Sequence, residues 1–423
     1  MKTIHRDVVV IGGGPAGLAA ALEAKRQGIE NVMILERNDE LGGILEQCIH
    51  DGFGLHRFKR QMSGPQYAQH FIDEIEKTDI DVKLNTMVLD ISEDKIIHAV
   101  NKEDGVIKVE TKAIILAMGC RERTKNQVFI WGTRPSGVLT AGAVQRYMNV
   151  EGLLPGKKAV ILGSGDIGLI MARRMTWEGI EVEGVYEVMA NPGGLNRNIA
   201  QCLNDYNIPL HLSTTVVEIH GNERIEGVTV AQVDKNLEPI KGTERYIDCD
   251  LLVLSVGLIP ENELSRKANV KISQVTKGPE LDSYMMTNIP GIFAAGNVVA
   301  VFDLVDYVSE TGELAARGAL NYIKGKKASE MPIEITAGEN ISLVVPSKLN
   351  LEDLEEKVSL YMRTKKVIPK CTVNVYLNKV LIYSEKRRIV RPAEMVVVKF
   401  DSEKFKDYEN KGQIVVEIVE EGK

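Results

Sequence analysis

The feature that most constrains this chain is a glycine-rich turn that follows an apolar run near its beginning. The apolar residues 8–11 end in the segment GGGPAG at residues 12–17, and an alanine-rich stretch comes next. This order predicts a buried parallel strand, a tight turn, and a helix whose first N–H groups and positive dipole end face the turn. Gly12 would make the turn, Gly14 would let the backbone approach a phosphate, and Gly17 would let the helix pack on the strand. The turn is therefore a candidate site for a pyrophosphate.

A carboxylate follows this turn at the spacing that a dinucleotide site requires. A second apolar strand is predicted over residues 31–35, and it ends at Glu36, 19 residues after Gly17. A carboxylate in that position accepts hydrogen bonds from the two hydroxyls of a ribose. Glycine turns occur in many folds, but the order strand, turn, helix, strand and acid predicts a dinucleotide-binding unit.

The same pattern occurs a second time. A strand predicted over residues 157–162 runs into GSGDIG at residues 163–168, and a strand over 181–186 ends at Glu187, again 19 residues after the last glycine. The repeat predicts a second dinucleotide-binding unit. Glu187 favours NAD over NADP, because a carboxylate there would repel a 2′-phosphate. The residues predicted to bind NAD are Gly163, Gly165, Asp166, Ile167, Gly168 and Glu187.

Further apolar segments end at glycines and complete the two units. A strand over residues 113–116 leads into AMG, and a short strand leads into the end of GIFAAGN at residues 291–297. A helix is predicted over residues 306–323, with Asp303 and Asp306 expected to cap it. After Met331 the chain alternates in strand-length pieces and carries no nucleophile or ligand cluster, which predicts a β-rich interface or stability domain.

Composition excludes several classes of function. The chain has 423 residues and a net charge of -7, which argues against a nucleic-acid surface, and the basic run at residues 386–388 is expected to be a solvated turn. No stretch is long and apolar enough for a membrane span and no signal peptide is recognised, so we expect a cytoplasmic protein. No metal site is predicted, since the cysteines are scattered without paired spacing. They are Cys48, Cys120, Cys202, Cys249 and Cys371.

The order of these motifs resembles the flavoproteins with two dinucleotide units, which include the pyridine nucleotide-disulfide oxidoreductases. The resemblance covers residues 1–330 and rests on GGGPAG, Glu36, LGG, AMG, GSGDIG, Glu187, SVGLIP and GIFAAGN. The segments QCIHDGFG (47–54) and GTRPSGV (132–138) resemble a narrower group. That group comprises the flavoprotein subunits of hydrogen cyanide synthase and of opine and sarcosine oxidases, and the oxidoreductase that accompanies some bacterial glycerol-3-phosphate dehydrogenases.

The resemblance implies an α/β fold with two Rossmann-like three-layer domains, the NAD domain inserted in the FAD domain, and a small β-rich C-terminal domain. The implied bounds are 1–125 with 280–330 for FAD, 126–279 for NAD, and 331–423 for the C-terminal interface domain. It also places FAD on the first unit, with Asn297 near the ribityl chain. The implied FAD residues are Gly12, Gly14, Pro15, Ala16, Gly17, Glu36, Arg37, Gly43, Ala117, Gly119, Gly296 and Asn297.

The chain departs from the family pattern in two places. Most relatives carry aspartate where Asn297 stands, and an asparagine carbonyl can still accept a hydrogen bond from a ribityl hydroxyl. Disulfide reductases carry two cysteines about five residues apart after LGG, whereas only Cys48 is present here. Cys48 is either a redox thiol, as in single-cysteine relatives, or a structural residue. His50 and His56 could transfer protons or only form structural hydrogen bonds, and Arg134 could bind an anion or form a salt bridge.

Together these features predict an FAD-dependent, NAD(H)-linked oxidoreductase that works with partner subunits. The expected partners are NADH or NAD, a second flavoprotein dehydrogenase subunit, an iron–sulfur protein and further copies in an oligomer, without nucleic acid. Two alternatives stay open at this point. One is a stand-alone reductase or peroxidase that uses Cys48, and the other is a scaffold subunit whose nucleotide sites are structural.

Overall fold

The chain forms two compact units in a computed structural model that describes residues 1–326, 332–351, 354–409 and 411–421. The first unit comprises Met1–Glu46, Asp51–Cys120 and Pro260–Lys423, and the second comprises Gln47–His50 and Arg121–Ile259. The second unit is thus inserted into the first, as predicted. By contacts the first unit resumes at Pro260, whereas the predicted domain bound lies at 279, and the domain bounds stay a prediction. The predicted boundary at Met331 lies outside the described residues.

The elements are numbered in chain order. Up to residue 122 they are β1 (Lys2–Ile11), α1 (Pro15–Arg26), β2 (Val32–Leu35), β3 (Asp51–Phe53), α2 (Leu55–Phe58), β4 (Met62–Ser63), α3 (Gly64–Ile75), β5 (Asp81–Lys83), β6 (Met87–Ile91), β7 (Ile96–Asn101), β8 (Gly105–Leu116) and β9 (Cys120–Glu122). Up to residue 260 they are β10 (Trp131–Gly132), β11 (Val138–Thr140), α4 (Ala141–Asn149), β12 (Lys158–Leu162), α5 (Asp166–Trp177), β13 (Glu181–Tyr186), α6 (Asn196–Cys202), β14 (Leu210–His211), β15 (Thr214–His220), β16 (Gly227–Gln232), β17 (Arg245–Asp248), β18 (Leu251–Leu254) and β19 (Leu258–Pro260). The remainder are α7 (Glu263–Lys267), β20 (Ile292–Ala294), α8 (Val305–Ile323), β21 (Ile333–Ala337), β22 (Ile341–Val345), β23 (Lys348–Leu349), β24 (Lys357–Thr364), β25 (Ile368–Leu377), β26 (Val380–Val390), β27 (Val396–Asp401) and β28 (Gln413–Glu420).

The first unit is built on a seven-stranded sheet. Its strand order is β5-β2-β1-β8-β7-β6, and β20 pairs with β8. Strands β5, β2, β1, β8 and β20 pair in parallel, whereas β7 pairs with β8 and β6 in antiparallel fashion. The apolar run of β1 is buried because parallel strands are covered on both faces. Helices α1 and α8 pack closely, since a Cβ at Gly312 would stand 2.2 Å from the Ala16 carbonyl oxygen.

Neither predicted acid caps α8. The helix begins after Leu304, and no side chain makes a capping hydrogen bond there. Asp303 instead accepts a hydrogen bond from the Met395 amide (3.1 Å), and Asp306 accepts one from the His56 amide (3.2 Å). The capping prediction is wrong because both carboxylates are engaged by partners that are remote in the sequence.

The C-terminal part of the first unit is β-rich, as predicted. It forms the sheets β23-β21-β28-β25-β26 and β22-β24-β27 around its own apolar cluster. Glu310 of α8 accepts a hydrogen bond from the Ser359 hydroxyl (3.2 Å) and pairs with Lys399 (2.5 Å). These contacts join the C-terminal sheets to α8.

The basic run at residues 386–388 lies within strand β26, so its prediction as a turn is wrong. This strand is the edge of its sheet. Lys386 and Arg388 are exposed, while Arg387 donates to the Val397 carbonyl (2.7 Å). Charged side chains on an edge strand discourage the addition of another strand.

The second unit has a five-stranded parallel sheet in the order β11-β18-β12-β13-β14. A second sheet, β10-β15-β16-β17, contributes to a separate apolar cluster. Helices α4, α5 and α6 bury their apolar residues in the cluster that covers the parallel sheet. Together the two units confirm the predicted α/β class with two dinucleotide-binding folds.

Helices long and apolar enough to cross a bilayer are absent from the described part of the chain. The predicted cytoplasmic location stays a prediction.

Candidate functional site

The glycine turn of the first unit has the geometry that its sequence predicts. Gly12 follows β1 with a φ of +108°, and a Cβ there would stand 2.4 Å from the Ala117 carbonyl oxygen. A Cβ at Gly17 would stand 1.8 Å from the Gly12 carbonyl oxygen. The fold itself therefore requires both residues to be glycine, since a side chain would displace the backbone.

Gly14 differs from these two glycines because the protein leaves room beside it. It is the residue before α1, and the nearest atom to a Cβ there is Gly43 Cα at 3.9 Å. Pro15 is the first residue of the helix, and Ala16 and Gly17 follow in its first turn. The amides of a first helical turn have no acceptor within the helix and attract an anion. The open space at Gly14 fits a pyrophosphate that approaches the backbone at the helix N-terminus.

Glu36 lies at the same edge of the sheet as the turn. Strands β1 and β2 are in register, with Ile11 opposite Leu35, so the residues that follow them are neighbours. The Glu36 carboxylate is buried and accepts hydrogen bonds from the amides of Gly13 (2.6 Å) and Asn38 (2.8 Å). These bonds fix the orientation of the carboxylate beside the turn.

Two further strands end at this edge. Leu116 of β8 pairs with Ala294 of β20, so Ala117 and Gly119 lie beside the segment that holds Gly296 and Asn297. Gly119 has a φ of +71°, and a Cβ there would meet no atom within 4 Å. All the residues predicted to bind FAD thus lie near the carboxyl ends of these strands, with Arg37 exposed to solvent.

The contacts of Gly296 and Asn297 fix the loop that follows β20. The Gly296 amide donates to the Thr311 hydroxyl of α8 (2.9 Å). Asn297 accepts a hydrogen bond from the Phe302 amide (3.0 Å), and its amide group lies 3.7 Å from the Cys120 sulfur. One lone pair of the Asn297 carbonyl is therefore used within the loop.

The turn of the second unit repeats the first. Gly163 has a φ of +95°, and a Cβ there would stand 2.1 Å from the Ser255 carbonyl oxygen. A Cβ at Gly168 would stand 2.6 Å from Ser255 Cβ, and the Gly168 amide donates to the Ser255 hydroxyl (3.1 Å). Gly165 is the residue before α5. Ser255 follows β18 as Ala117 follows β8, and a comparison of the two units would have identified it from the sequence.

Glu187 occupies the place that Glu36 has in the first unit. Its buried carboxylate accepts hydrogen bonds from the Ser164 amide (2.9 Å), the Ser164 hydroxyl (2.6 Å) and the Met189 amide (2.9 Å). Sequence reasoning missed Ser164, although its place beside the first glycine of the turn is where Gly13 stands in the first unit.

Asp166 and Ile167 have structural contacts of their own. Asp166 accepts hydrogen bonds from the Leu195 amide (2.8 Å) and the Asn198 side chain (2.6 Å), and so binds the start of α6. Ile167 is half-buried against the apolar cluster of this unit. Their predicted role in binding NAD stays a prediction.

Cys48 lies in a segment held by α4 of the second unit. The Gln47 side chain donates to the Gly142 carbonyl (2.9 Å) and to the Gln145 side-chain oxygen (3.0 Å). The half-buried Cys48 thiol lies 3.7 Å from the same Gln145 oxygen.

The remaining candidate groups are His56, Arg134 and the other cysteines. The His56 ring stacks on Tyr307, with 6.2 Å between ring centroids, and Arg134 is exposed. The cysteines form no disulfide within the described residues. Burial raises the pKa of the Cys249 thiol to about 12. No cluster of three or more histidine, cysteine, aspartate or glutamate side chains in the described ranges could hold a metal ion.

Sequence reasoning also missed a polar cluster beneath α8 of the first unit. Arg57 pairs with Glu313, and Tyr67 shares a hydrogen bond with Ser309 (2.9 Å). Burial raises the pKa of the Tyr67 hydroxyl, and the nearby Asp306 carboxylate adds to that shift. The helical spacing of the acids of α8 offered a weak signal, but their partners lie some 250 residues earlier in the chain.

Comparison with known proteins relates the chain to named enzymes. Over 316 residues it is 27% identical to the hydrogen cyanide synthase subunit HcnB of Pseudomonas protegens. The alignment covers 69% of this chain and 65% of HcnB, so this chain spans slightly less than two thirds of that relative. Over 374 residues it is 25% identical to the glutamate synthase [NADPH] small chain of Mycobacterium tuberculosis, with 79% of this chain and 70% of that protein covered.

Solved structures have the same fold. The thioredoxin reductase of T. acidophilum matches with a TM-score of 0.61 and 24% identity, over 76% of this chain and 99% of that one. The pyridine nucleotide-disulphide oxidoreductase family matches residues 6–317, which include both glycine turns and both buried glutamates. The chain therefore belongs to the pyridine nucleotide-disulphide oxidoreductase family.

Proposed function

We propose that this protein exchanges hydride and electrons between NAD(H), bound FAD and a second flavoprotein, as one subunit of a dehydrogenase complex. Its family makes it an FAD-dependent oxidoreductase that uses a pyridine nucleotide. The observation that carries the proposal is the pair of similar turns, each with a buried and oriented glutamate, Glu36 in one unit and Glu187 in the other. Two such turns suit two different dinucleotides.

In this proposal the first unit binds FAD, which supplies the ring that takes up and releases the reducing equivalents. The amides at the start of α1 hold the pyrophosphate, and Gly14 leaves the space for it. The Glu36 carboxylate accepts hydrogen bonds from the adenosine ribose. The second lone pair of the Asn297 carbonyl accepts one from the ribityl chain.

The first turn of α8 has a complementary role in this proposal. Its N-terminal amides and dipole stabilise negative charge on the ligand by up to about 2 kcal/mol in a partly buried setting. Asp306 is not positioned as a cap, because one of its carboxylate oxygens accepts from the His56 amide. The C-terminal sheets contact α8 through Glu310, which helps to fix the position of this helix.

The second unit binds NAD(H) in this proposal. Glu187 disfavours NADP, because its carboxylate would meet the 2′-phosphate and already has its orientation set by Ser164 and Met189. Repulsion between like charges at such a contact discriminates between the two nucleotides.

The names of two relatives support a role as a subunit of a complex. One is a subunit of hydrogen cyanide synthase and another is the small chain of glutamate synthase. We therefore propose a partner subunit that oxidises glycerol 3-phosphate or an amine or amino acid, together with an iron–sulfur protein and oligomer formation. The chain lacks a second cysteine near Cys48, so the electrons leave the flavin for a partner and not for a disulfide within the chain.

The test is anaerobic reduction of the purified, FAD-loaded protein. NADH should bleach the visible band of the oxidised flavin, and NADPH at the same concentration should do so more slowly. Addition of a second flavoprotein from the same complex, together with an excess of an artificial electron acceptor that this protein alone reduces slowly, should then restore the band, because the electrons pass from one flavin to the other and on to the acceptor. A protein that holds FAD but is bleached by neither nucleotide would refute electron entry from nicotinamide and favour the scaffold alternative.

A further inference from the structure

The loop that joins β20 to α8 lies beside the proposed FAD site. It comprises residues 295–304, and we call it the β20–α8 loop. At its start, a Cβ at Gly296 would stand 2.8 Å from the Cβ of Ala16, which lies in the first turn of α1. At its end, the loop leads into the first turn of α8. The path of this loop therefore sets the place of Asn297, which lies within it.

A hydrogen bond within the loop links Asn297 to Phe302. The Phe302 amide donates to the Asn297 side-chain oxygen (3.0 Å). The same oxygen accepts from the ribityl chain in the proposed function. The orientation of the Asn297 carbonyl therefore depends on where Phe302 is held.

Strand β24 of the C-terminal sheets divides its side chains between two surroundings. One set packs in the apolar cluster of those sheets and comprises Val358, Leu360 and Met362. The intervening side chains contact α8 or the loop before it, and they are Ser359, Tyr361 and Arg363. Alternate side chains of a strand point to opposite faces. One face of β24 is thus directed at α8 and the β20–α8 loop.

Tyr361 fixes the ring of Phe302. The two rings meet edge to face, with 5.4 Å between their centroids and an angle of 88° between their planes. Both side chains are buried and belong to the main apolar cluster of the first unit. A strand of the C-terminal sheets therefore sets the position of Phe302.

Arg363 fixes the backbone on either side of Phe302. Its guanidinium donates to the Val301 carbonyl (3.0 Å) and lies 3.6 Å from the Asp303 carboxylate. A second nitrogen of the same group donates to the Pro392 carbonyl (2.8 Å), which holds the guanidinium itself in place. The rigid fork of an arginine side chain can make these contacts at the same time. The loop is thus attached to β24 through both its backbone and its aromatic ring.

We propose that Arg363 and Tyr361 are positioning residues for the flavin, an inference that rests on the proposed contact between Asn297 and FAD. They hold the β20–α8 loop so that the Phe302 amide directs the Asn297 carbonyl toward the ribityl chain. Both residues lie beyond residue 317, where the match to the family ends. The C-terminal sheets are thus part of the support of the cofactor site and not only an interface or stability domain.

The experiment is a double-mutant cycle on the affinity of the deflavinated, full-length protein for FAD, measured by the quenching of flavin fluorescence. Asn297→Ala should raise Kd about tenfold, and Arg363→Met should raise it about fivefold. The double variant should bind about as weakly as Asn297→Ala alone, because Arg363 acts through Asn297. Arg363→Lys keeps the charge and a donor for the Val301 carbonyl, so it should regain part of the lost affinity.

Glu355→Gln is the matched control. The Glu355 carboxylate accepts from the Arg317 guanidinium (3.0 Å), so this variant alters another charged contact between the C-terminal part and α8, but one away from the loop. It should bind FAD as the unmodified protein does. Thermal melting of each apoprotein records a loss of stability separately from a loss of affinity.

The outcomes separate this inference from the proposed function. If the effects of Asn297→Ala and Arg363→Met multiply in the double variant, Arg363 does not act through Asn297 and the inference is overturned. It is also overturned if Arg363→Met binds FAD as tightly as the unmodified protein, or if Glu355→Gln weakens FAD as much as Arg363→Met does. In each of these cases the unmodified protein still binds FAD and is bleached by NADH, so the proposed function stands. If the unmodified protein holds no FAD as isolated and takes up none, the proposed function fails as well.

Discussion

Substitution of Gly14 by alanine should weaken FAD binding about a hundredfold without harming the fold of the apoprotein. A Cβ at Gly14 would meet nothing nearer than 3.9 Å, so the methyl group fits the protein itself. Alanine before a helix costs about 0.5–1 kcal/mol relative to glycine. Alanine also lowers the conformational entropy of the unfolded chain, which stabilises the folded state by about 0.4–1 kcal/mol. The free energy of unfolding of the apoprotein should therefore change by less than about 1 kcal/mol.

Gly17→Ala is the matched comparison, because its methyl group would stand 1.8 Å from the Gly12 carbonyl oxygen. Forcing a side chain into a packed site costs about 1–3 kcal/mol. This variant should be destabilised even in the absence of FAD. The two substitutions are chemically identical and lie three residues apart. A difference between their effects on apoprotein stability and on FAD affinity therefore shows which methyl group enters the space of the ligand and which enters the packed protein.

The size of the expected effect of Gly14→Ala follows from the stabilisation that bound FAD gives to the protein. At a flavin concentration about a thousandfold above Kd, binding adds about 4 kcal/mol to the stability of the unmodified protein. If the methyl group of Gly14→Ala costs about 2.7 kcal/mol of binding, Kd rises about a hundredfold. The stabilisation by FAD then falls to about 1.4 kcal/mol.

Urea unfolding of the deflavinated variants, with and without added FAD, measures these quantities. The flavin Kd is obtained independently from the quenching of flavin fluorescence. The reasoning would be refuted if Gly14→Ala bound FAD as tightly as the unmodified protein. It would also be refuted if the Gly14→Ala apoprotein were destabilised as much as the Gly17→Ala apoprotein.

Three other predictions address the second unit, the thiol and acid stability. Glu187→Gln should weaken NAD⁺ binding about tenfold or more, because hydrogen bonds to a charged group contribute about 1.5–3 kcal/mol. Calorimetry with NAD⁺ and NADP⁺ should show that the variant prefers NAD⁺ over NADP⁺ by a smaller factor than the unmodified protein does. Cys48→Ser should leave two quantities unchanged, the rate of flavin bleaching by NADH in stopped-flow measurements and the turnover with an electron acceptor. A large loss of either would favour the alternative of a reductase or peroxidase that uses Cys48. Hydrogen bonds from Lys2 and Lys83 lower the pKa of Asp104 to about 2. Unfolding curves should show Asp104→Asn less stable than the unmodified protein above pH ~4, with the difference vanishing as the pH falls toward 2.

The sequence was sufficient for those parts of the fold that depend on short-range pattern. Each glycine turn and its glutamate lie within about 25 residues, and the strand ends that bring them together are set by parallel pairing, as between Ile11 and Leu35. Local spacing therefore predicted the folds of both units and the placing of Glu36 and Glu187. The predicted strands omit β21, although its sequence IEITA alternates between apolar and polar residues, and β23, which has only two residues.

The errors concern polar residues whose partners are distant in the sequence. Asp303 looked like a helix cap because it stands just before α8, yet its hydrogen-bond donor is the amide of Met395, 92 residues later. The basic run at residues 386–388 looked like a turn because it is charged, yet it lies on an edge strand where charge is favoured. In both cases the composition of the segment was compatible with two structures, and only tertiary packing decides between them.

The glycines of the two units show how a motif can be divided into folding and binding parts. Gly12 and Gly163 carry positive φ values and have no room for a side chain, so selection for the fold alone would keep them. Gly14 has room for a methyl group within the protein, so the fold gives no reason for it to be glycine. What it keeps open is the space over the helix N-terminus, which is where a dinucleotide would lie. A glycine that the protein could replace but does not is therefore a stronger indication of a ligand than one that the backbone requires.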